Sequence, residues 1–349
     1  MKPRIWLLAI FSIVISAVVL IGYDYNQFMN KPFAIAAGET MRIDVASGSS
    51  IKSISFELQK RGAIEKSFYL AWTARITGQA RRIQAGEYAI SHGVTPKQFL
   101  TMLVDGKVIQ YSFTIIEGWN VRQVLQSLKE NTDITQTLSD ITASQLMQKL
   151  NLPAALHAEG WFFPDTYYFI RGETDVDILR RAYQAMQKNL NNAWLKRDAN
   201  LPYDSSYDAL IMASIVEKET GKASERRQIA GVFTRRLQKK MKLQTDPTVI
   251  YGIGEKYDGN IRRRDLRTDT PYNTYTRKGM PPTPIAMPGL ASIEAALHPA
   301  DGTALYFVAK GDGSHVFSNN LKQHNEAVIK YQLKGRRKAF SSFPGDKKK

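Results

Sequence analysis

Two carboxylates at the end of an apolar run are the residues of this sequence best suited to chemistry. The run ASIVEKET (residues 213–220) places Glu217 and Glu219 directly after residues 209–216, which are apolar except for Ser214. A helix that is apolar on every side is buried, so both carboxyl groups lie where a core helix ends. Burial and the negative end of a helix dipole both disfavour an ionised carboxylate. The pattern therefore predicts a carboxyl group that stays protonated near neutral pH and can donate its proton to a leaving-group oxygen.

Helical spacing separates the two glutamates. At about 100° per residue they point about 200° apart, so they cannot face one sugar as the carboxylate pair of an ordinary glycosidase does. Glu217 shares its stripe with the small residues Ala213 and Ser214, which would leave room for a ligand, whereas Glu219 follows bulkier side chains. We therefore expect Glu217 to be the acid. The alternative is that both glutamates mark the exposed end of a core helix and pair with nearby cations such as Arg226.

Neighbouring segments indicate how this helix is positioned. Ser205 or Ser206 is suited to begin it, and Gly221 to end it. A second amphipathic helix is expected over residues 224–242, with Arg236 on a solvated face. The later segments are rich in turns.

Two segments of the N-terminal half share a pattern. Residues 48–58 and 118–128 both read G-x-[SN]-[IV]-[KR]-x-[IV]-x-x-x-L, in which the serine or asparagine can cap an amphipathic helix. Each segment follows a short strand-like run, at residues 41–45 and 111–116. The pattern predicts two small strand–helix units, and chance similarity over eleven positions is the alternative.

Strands and helices interleave without a regular rhythm, which indicates an α+β fold. Residues 305–309 and 315–318 flank a Lys-Gly-Asp-Gly turn and predict a β-hairpin. His315 is expected to be a surface or hairpin residue rather than a catalyst. The aromatic run at residues 159–169 is expected to contribute mainly to a core, although such rings can also form a wall on which sugars stack.

The N-terminus predicts a membrane anchor. Residues 5–22 form an uncharged apolar run of 18 residues, close to the ~20 that a helix needs to cross a bilayer. No small-residue cleavage site follows closely, which argues against a cleaved signal peptide. Lys2 and Arg4 precede the run, so we expect residues 1–4 in the cytoplasm and the globular part outside it.

The composition narrows the class of partner. The 349 residues carry a net charge of +16, which implies an anionic neighbour such as an acidic bilayer or polymer. A location outside the cytoplasm argues against nucleic acid. The sequence contains no cysteine, which excludes disulfides and thiolate metal sites. It also contains no H-E-x-x-H spacing, phosphate-binding glycine loop or serine elbow, so neither a metal nor a cofactor is expected.

Motifs in a fixed order resemble one family. ASIVEKET is preceded by EGWFFPDTY (159–167) and followed by LQTDPTVIYG (243–252), YNTY (272–275), PPTPI (281–285) and HVF (315–317). In this order they resemble the endolytic murein transglycosylases of the YceG-like family over essentially the whole chain past the anchor.

The resemblance implies a domain organisation. It comprises a cytoplasmic tail (1–4), a transmembrane helix (5–22), a linker (23–40), a LysM-like β/α module (41–110), a YceG-like α+β catalytic domain (111–335) and a basic disordered tail (336–349). The protein would be a single-pass protein of the bacterial inner membrane with its body in the periplasm. Penicillin-binding proteins that synthesise peptidoglycan are the protein partners that the family implies.

The resemblance also implies an activity. The protein would be a lyase that cleaves nascent peptidoglycan strands between N-acetylmuramic acid and N-acetylglucosamine, leaves 1,6-anhydro-N-acetylmuramic acid ends and terminates strand elongation. The family's catalytic glutamate, the first acid of E-K-E-T, falls on Glu217. Such an enzyme needs no second carboxylate, because the muramic acid C6 hydroxyl attacks C1. Glu217 would protonate the glycosidic oxygen and then accept the C6 hydroxyl proton.

Polar residues in the turns are candidate glycan binders. Gln244, Asp246, Asn273 and Tyr275 could bind acetamido and hydroxyl groups, and ordinary turn formation is the alternative for each. Glu159 and Asp165 could support the acid from behind it. If the protein were instead a muramidase that uses water, Glu159 or Asp165 would have to meet Glu217 across the cleft. A non-catalytic peptidoglycan-binding scaffold is the third alternative.

Overall fold

The computed structural model describes residues 3–138, 141–153 and 157–336 and has the mixed α+β fold that the sequence predicts. Residues 337–349 of the predicted basic tail and residues 1–2 of the predicted cytoplasmic tail lie outside this description. The helices are α1 (Pro3–Asn30), α2 (Ile51–Lys60), α3 (Ser67–Ile76), α4 (Pro96–Asp105), α5 (Val121–Glu130), α6 (Ala143–Lys149), α7 (Asp175–Leu195), α8 (Ser206–Glu219), α9 (Arg226–Gln238), α10 (Asp246–Ile253), α11 (Leu290–Leu297) and α12 (Leu321–Tyr331). The strands are β1 (Thr40–Val45), β2 (Gly86–Ser91), β3 (Tyr111–Thr114), β4 (Thr166–Phe169), β5 (Tyr306–Ala309) and β6 (His315–Ser318).

The chain divides into two compact units. The N-terminal unit contains Met1–Tyr111 and Tyr168–Glu173, and the C-terminal unit contains Ser112–Tyr167 and Thr174–Lys349. The break after Tyr111 lies close to the boundary expected between the two modules. The assignment of residues 168–173 to the N-terminal unit was not anticipated, because the sequence pattern of that segment continues an aromatic run of the other unit.

Helix α1 begins with the predicted apolar run and continues beyond it. Its segment Trp6–Asn30 is long and apolar enough to cross a membrane, and its most apolar 18-residue window has a mean hydropathy of 2.5 and contains no buried residue. The helix extends eight residues past the predicted end at Gly22. Phe33 and Ile35 then lie in the hydrophobic core of the N-terminal unit. Much of the segment expected to be a linker is therefore helical or part of a folded core.

The N-terminal unit has a strand–helix–helix–strand order. Strands β1 and β2 pair antiparallel, with Thr40 opposite Ser91 and Val45 opposite Gly86. Between them in sequence lie α2, which Ser50 caps as predicted by accepting a hydrogen bond from Ser53 N, and α3. Their apolar faces bury one core together with α4. The LysM-like assignment of residues 41–110 stays a prediction.

The second predicted strand–helix unit is present as β3 followed by α5. Asn120 caps α5 and accepts a hydrogen bond from Gln123 N at 3.0 Å. The strands of the two predicted strand–helix units belong to separate sheets: β1 pairs with β2, and β3 pairs with β4. The aromatic run before and within β4 is mainly core, as expected: Trp161, Phe162, Tyr167 and Phe169 are buried, and Tyr168 is exposed.

Helix α8 is the central buried helix of the C-terminal unit. Ser205 caps it through a capping box with Asp208, which explains the sharp start. Residues 209–216 are all buried, and α8 packs against α7, α9, α10 and α11. The helix ends at Glu219 because Thr220 adopts an extended conformation (φ −151°, ψ 132°). The helix therefore breaks at Thr220, one residue before the predicted Gly221.

The hairpin and the second helix differ in how well they were predicted. Strands β5 and β6 pair antiparallel, which confirms the predicted hairpin. Helix α9 is shorter than expected, and the expectation of a solvated Arg236 is wrong. Arg236 is 6% exposed, and its guanidinium donates to the backbone carbonyls of Lys242, Leu243 and Leu305. The side chain of Arg236 therefore satisfies backbone carbonyl groups instead of facing solvent.

Candidate active site

Glu217 projects from the last turn of α8 toward Arg226, Gly289 and the loop at Gly118, and we call the surroundings formed by these residues the recess. Its side chain is 7% exposed, and Oε2 accepts a hydrogen bond from Gly289 N at 3.0 Å. Arg226 Nη2 lies 4.0 Å from Oε1. Gly289 directly precedes α11, so the carboxyl group lies at the positive end of that helix as well as at the negative end of its own. A backbone amide and a guanidinium are both groups that stabilise negative charge, so the surroundings of Glu217 suit a carboxylate formed during a reaction.

Two short loops form the recess. Gly118 N donates to Met287 O at 2.9 Å, and Met287 N donates to Trp119 O at 2.7 Å. The Lys218 ammonium donates to Gly118 O at 3.1 Å and ties the first loop to the end of α8. Gly118 has φ +78°, a conformation that favours glycine, and a Cβ atom there would lie 3.9 Å from Glu217 Cγ. The backbone of this loop therefore approaches Glu217 closely.

A second carboxylate, Glu117, lies in the same recess and was missed by the sequence reasoning. Its Oε2 is 4.0 Å from Arg226 Nη2, the same nitrogen that neighbours Glu217. Burial raises the pKa of Glu117, the charge of Glu217 raises it further, and Arg226 opposes both effects. A Cβ atom on Gly289 would lie 1.8 Å from Glu117 Oε1, so this arrangement needs glycine at that position.

The sequence did carry a signal for Glu117. The triplet Glu117-Gly118-Trp119 repeats as Glu159-Gly160-Trp161, and both glycines have positive φ, +78° and +83°. The helix pattern at residues 118–128 begins one residue after Glu117 and therefore does not include it.

The space beside Ala213 and Ser214 is filled by protein. Both residues are 0% exposed, and Ser214 Oγ donates to Ile211 O at 2.7 Å and accepts from Ile285 N at 3.0 Å. The proline-rich loop at 281–288 packs there. The prediction that these small residues leave room for a ligand is therefore wrong; they leave room for the loop whose end brings Gly289 to Glu217.

Glu219 lies in the same helical turn as Glu217, but its side chain has different neighbours. Its Oε1 accepts a hydrogen bond from Thr245 Oγ1. Burial raises the pKa of Glu219 to about 7; the hydroxyl of Thr245 opposes this shift, and the charge of Asp246 adds to it. The elevated pKa expected of an acid at the end of a buried helix is thus found at Glu219. Glu217 and Glu219 have different partners, which confirms that their side chains point to different sides of the helix.

Three of the four predicted glycan binders are linked to Glu219 through Thr245, the residue that bonds Glu219, or through its sequence neighbours. Tyr275 donates to Asp246 Oδ1 at 2.6 Å, and Gln244 N donates to Thr274 O at 3.2 Å. Gln244 and Asp246 are exposed, and they flank the Thr245 that bonds Glu219. In the described chain, no hydrogen bond or ion pair joins these residues to Glu217.

Asn273 has the contacts of a turn-forming residue. It is 1% exposed, and its Nδ2 donates to Asp265 O at 3.0 Å and to Thr268 O at 2.7 Å. Its Oδ1 accepts from Tyr275 N at 2.9 Å. These contacts favour the turn-forming alternative, because the amide has little hydrogen-bonding capacity left for a sugar.

Glu159 supports the fold near the recess. It is 2% exposed and accepts hydrogen bonds from Val121 N at 3.0 Å, at the start of α5, and from Tyr251 OH at 2.9 Å. Burial raises the pKa of Glu159 to about 7, although both hydrogen bonds oppose the shift. Asp165 is exposed and bonds the following backbone amide. Within residues 157–336, neither carboxyl group forms a hydrogen bond or ion pair with Glu217.

His315 lies in strand β6 of the predicted hairpin, opposite Ala309. Its Nδ1 lies 2.7 Å from Glu225 Oε2, and its backbone N donates to Glu225 Oε1 at 3.2 Å. Glu225 directly precedes α9, so these bonds hold β6 at the start of that helix.

Comparisons with known proteins place the chain in a family. The sequence model of the YceG-like family matches residues 43–330. The chain belongs to the YceG-like family. A relative from Bacillus subtilis (strain 168), named endolytic murein transglycosylase, is 33% identical over 323 residues, which cover 88% of this chain and 89% of the relative.

Two further matches are similar to this YceG-like chain. A protein of the same name from Streptococcus pneumoniae (strain D39 / NCTC 7466) is 27% identical over 356 residues, 92% of this chain and 64% of the relative. This chain therefore spans slightly less than two thirds of the pneumococcal protein. A crystal structure of a yceG-like protein from Listeria monocytogenes is 29% identical, covers 82% of this chain and 99% of that one, and has a TM-score of 0.48.

Proposed function

We propose that this YceG-like protein is a membrane-anchored endolytic lytic transglycosylase, a lyase that cleaves nascent peptidoglycan strands between N-acetylmuramic acid and N-acetylglucosamine. Relatives named endolytic murein transglycosylase support the reaction class. The assignment of the acid to Glu217 rests on one observation: its nearly buried carboxyl group accepts a hydrogen bond from Gly289 N and lies beside Arg226.

In the first chemical step, Glu217 donates its proton to the glycosidic oxygen. The bond between muramic acid C1 and that oxygen breaks, and the leaving N-acetylglucosamine keeps the proton on its hydroxyl. Glu217 becomes a carboxylate at this moment. The Gly289 amide and the Arg226 guanidinium then face a full negative charge, so they stabilise the state that the step creates more than the state before it.

In the second step, the muramic acid C6 oxygen bonds to C1 and closes the 1,6-anhydro ring. The C6 hydroxyl proton passes to the Glu217 carboxylate, which restores the starting acid. No water is consumed and no second carboxylate takes part. Cleavage within a growing strand leaves an end that cannot be extended, which would terminate elongation.

Glu117 favours one second candidate, a muramidase that uses water. Of the described carboxylates, Glu117 shares the Arg226 cation with Glu217, as a partner carboxylate of a glycosidase would. The muramidase candidates from the sequence, Glu159 and Asp165, lack such a link. In the lyase, Glu217 performs both proton transfers and no second carboxyl group is needed. We therefore assign Glu117 to holding the residues of the recess in place.

The remaining segments are proposed to serve this activity. Residues 5–22 cross the bacterial inner membrane once, residues 41–110 form a LysM-like module, and residues 111–335 form the periplasmic catalytic domain. Helix α1 supports the anchor by its length and hydropathy. The net charge of +16 suits anionic lipids and the carboxylates of wall stem peptides. Penicillin-binding synthases are the proposed protein partners.

Exposed polar residues of the Glu219 side are proposed as glycan contacts. Gln244, on the loop that follows α9, and Asp246, at the start of α10, are exposed to solvent. They would bind hydroxyl or acetamido groups of sugars remote from the cleaved bond. Asn273 is left out of this set because its amide is bonded within its own turn.

Analysis of the new strand ends tests the function. The full-length protein in detergent is incubated with purified uncrosslinked glycan strands, and the products are analysed by mass spectrometry. We expect internal cleavage and anhydro ends. Reducing ends would identify a muramidase, and intact strands would identify a scaffold. Glu217→Gln, which keeps the shape of the side chain, is the matched control and should leave the strands intact.

A further inference from the structure

Helix α3 of the N-terminal unit has an apolar stripe that faces outward. Leu70 is fully buried in the core, whereas Phe68, Trp72 and Ile76 are 59%, 56% and 65% exposed. These three residues recur every four positions and therefore lie on one side of the helix. Phe56 of α2, also 63% exposed, is a further large apolar side chain on the outside of this unit. We call Phe56, Phe68, Trp72 and Ile76 the apolar face; clusters of this kind mark interaction sites.

A groove of about 1050 Å³ connects the apolar face to α1. It is lined by Phe56, Phe68 and Trp72 together with Val18 and Ile21 of α1. Val18 lies about one helical turn, ~6 Å, before the end of the apolar run that we expect to span the membrane. The apolar face is therefore level with the last turn of that run, where a bilayer changes from hydrocarbon to headgroups.

Contacts with the next turn of α1 hold α3 at this level. Asp24 accepts hydrogen bonds from Lys66 Nζ at 2.6 Å and from Tyr69 OH at 2.7 Å. The Tyr25 ring meets the Trp72 ring edge-on, with centroids 6.1 Å apart. Ion pair, hydrogen bond and ring contact together fix the apolar face against the axis of α1.

The charges at the groove suit an anionic lipid surface. Lys52 and Arg75 line it, and none of its described lining residues is acidic. Both cations are exposed, so they can reach lipid phosphates. Aromatic side chains, tryptophan above all, are enriched at the level of the headgroups.

We infer that the apolar face is a second membrane contact: Phe56, Phe68 and Trp72 insert among the lipids beside α1, and Lys52 and Arg75 bind the phosphates of an anionic bilayer. The inference rests on the proposed insertion of α1 and is independent of catalysis. It places the N-terminal unit directly on the bilayer surface. A flexible linker would instead let this unit move away from the membrane.

Site-directed spin labels test the inference, and the absence of native cysteine makes single labels straightforward. Phe68→Cys and Trp72→Cys variants of the full-length protein are labelled and reconstituted in vesicles of phosphatidylcholine and phosphatidylglycerol. Val14→Cys reports the insertion of α1. Thr101→Cys is the matched control, because Thr101 is exposed in the same unit but lines a different groove.

Collision rates with lipid-soluble oxygen and with a water-soluble nickel complex are then compared. We expect the oxygen-to-nickel ratio at positions 68 and 72 to lie between those at 14 and 101, because the face is at the headgroup level, and to exceed that at 101 several-fold. A lipid-exposed label at 14 with water-exposed labels at 68 and 72 would overturn the inference while α1 remains inserted. A water-exposed label at 14 would overturn the anchor as well. Spin–spin broadening at 68 or 72 would show that a second copy covers the face, which also contradicts the inference.

Discussion

Glu217 and Glu219 lie two residues apart on α8, yet the fold gives them opposite surroundings. Glu217 meets a backbone amide at the start of α11 and a guanidinium, both of which stabilise negative charge. Glu219 bonds the hydroxyl of Thr245, and burial, aided by the nearby charge of Asp246, raises its pKa to about 7. The last turn of a helix thus presents one carboxyl group to a cationic recess and the other to a dehydrated, acidic one.

The difference shows that a raised pKa does not by itself identify the acid. Judged by pKa alone, Glu219 and Glu159, both about 7, would be the candidates. Yet Glu159 bonds the start of α5, and Glu219 bonds Thr245 on the loop before α10. Glu217 differs from both, because its partners, a backbone amide and a guanidinium, stabilise the negative charge that forms on it during cleavage. Catalysis depends on such stabilisation of the transition state.

Exchange of each glutamate for its amide gives the largest expected contrast. Glu217→Gln should reduce strand cleavage by about 10²–10⁴-fold, because an amide neither donates nor accepts the required proton. Glu219→Gln should stay within about tenfold, because its amide oxygen can still accept the Thr245 hydrogen bond. Cleavage rates and circular dichroism of both variants check activity and folding. The opposite order of the two losses would move the acid to the Glu219 side.

The cation of the Glu217 side predicts a loss of cleavage rate. Arg226→Met removes the positive charge that lies beside the carboxylate formed during cleavage, so strand cleavage should slow by about 10²-fold. Arg226→Lys keeps the charge and serves as the control, with a smaller loss. Cleavage rates of both variants, with circular dichroism as a check of folding, give the result. An unchanged rate in Arg226→Met would separate Arg226 from the acid.

Glu117 distinguishes the lyase from the muramidase on the same side of the helix. In the lyase, Glu117→Gln should lower cleavage by less than about tenfold, since one carboxyl group performs both proton transfers. Gly289→Ala should act similarly, because its methyl group displaces the Glu117 side chain while the residue 289 amide can still bond Glu217. Cleavage rates of both variants provide the measurement. A loss as large as that of Glu217→Gln in both would instead favour a two-carboxylate mechanism.

The Glu219 side predicts the smallest effect, a change in stability with pH. The folded pKa of Glu219 is about 7 against an ordinary value of 4.5, so its contribution to stability is complete below pH 4.5 and is lost as the pH rises through 7. Glu219→Gln cannot ionise and should therefore gain stability relative to the wild type between pH 5 and pH 8, by about 1–3 kcal/mol.

Thermal unfolding of the full-length protein in detergent measures this effect. The difference in Tm between Glu219→Gln and the wild type should be larger at pH 8 than at pH 5. Glu39→Gln, at an exposed glutamate of the N-terminal unit, controls for the change in net charge. A difference that is the same at both pH values would contradict the raised pKa of Glu219.

Local patterns predicted the element that carries both carboxyl groups. The Ser205 cap and the apolar run at 209–216 specify a buried helix that ends at the glutamates, and the structure confirms each point. The helical angle between Glu217 and Glu219 also predicted that they would not share partners. These features depend on residues within one or two helical turns, which is the range over which sequence patterns determine structure.

The surroundings of each carboxyl group could not be predicted in this way. Gly289 and Glu117 reach Glu217 from 72 and 100 positions away in sequence, through loops whose paths depend on tertiary packing. The same packing fills the space at Ser214 and buries Arg236, against the expectation for each. A helix-end argument gave both glutamates the same electrostatics, because it could not include the second helix whose start lies at Glu217.

Incorporation of oxygen from water tests the central claim most directly. The full-length protein cleaves purified strands in water enriched in oxygen-18, and the new muramic acid ends are weighed by mass spectrometry. If Glu217 serves the C6 hydroxyl as proton acceptor, the ends are anhydro sugars that carry no heavy oxygen, and Glu217→Gln forms none of them. Heavy oxygen at C1 of the new ends, formed at the rate of cleavage, would show that water is the nucleophile and would contradict the account.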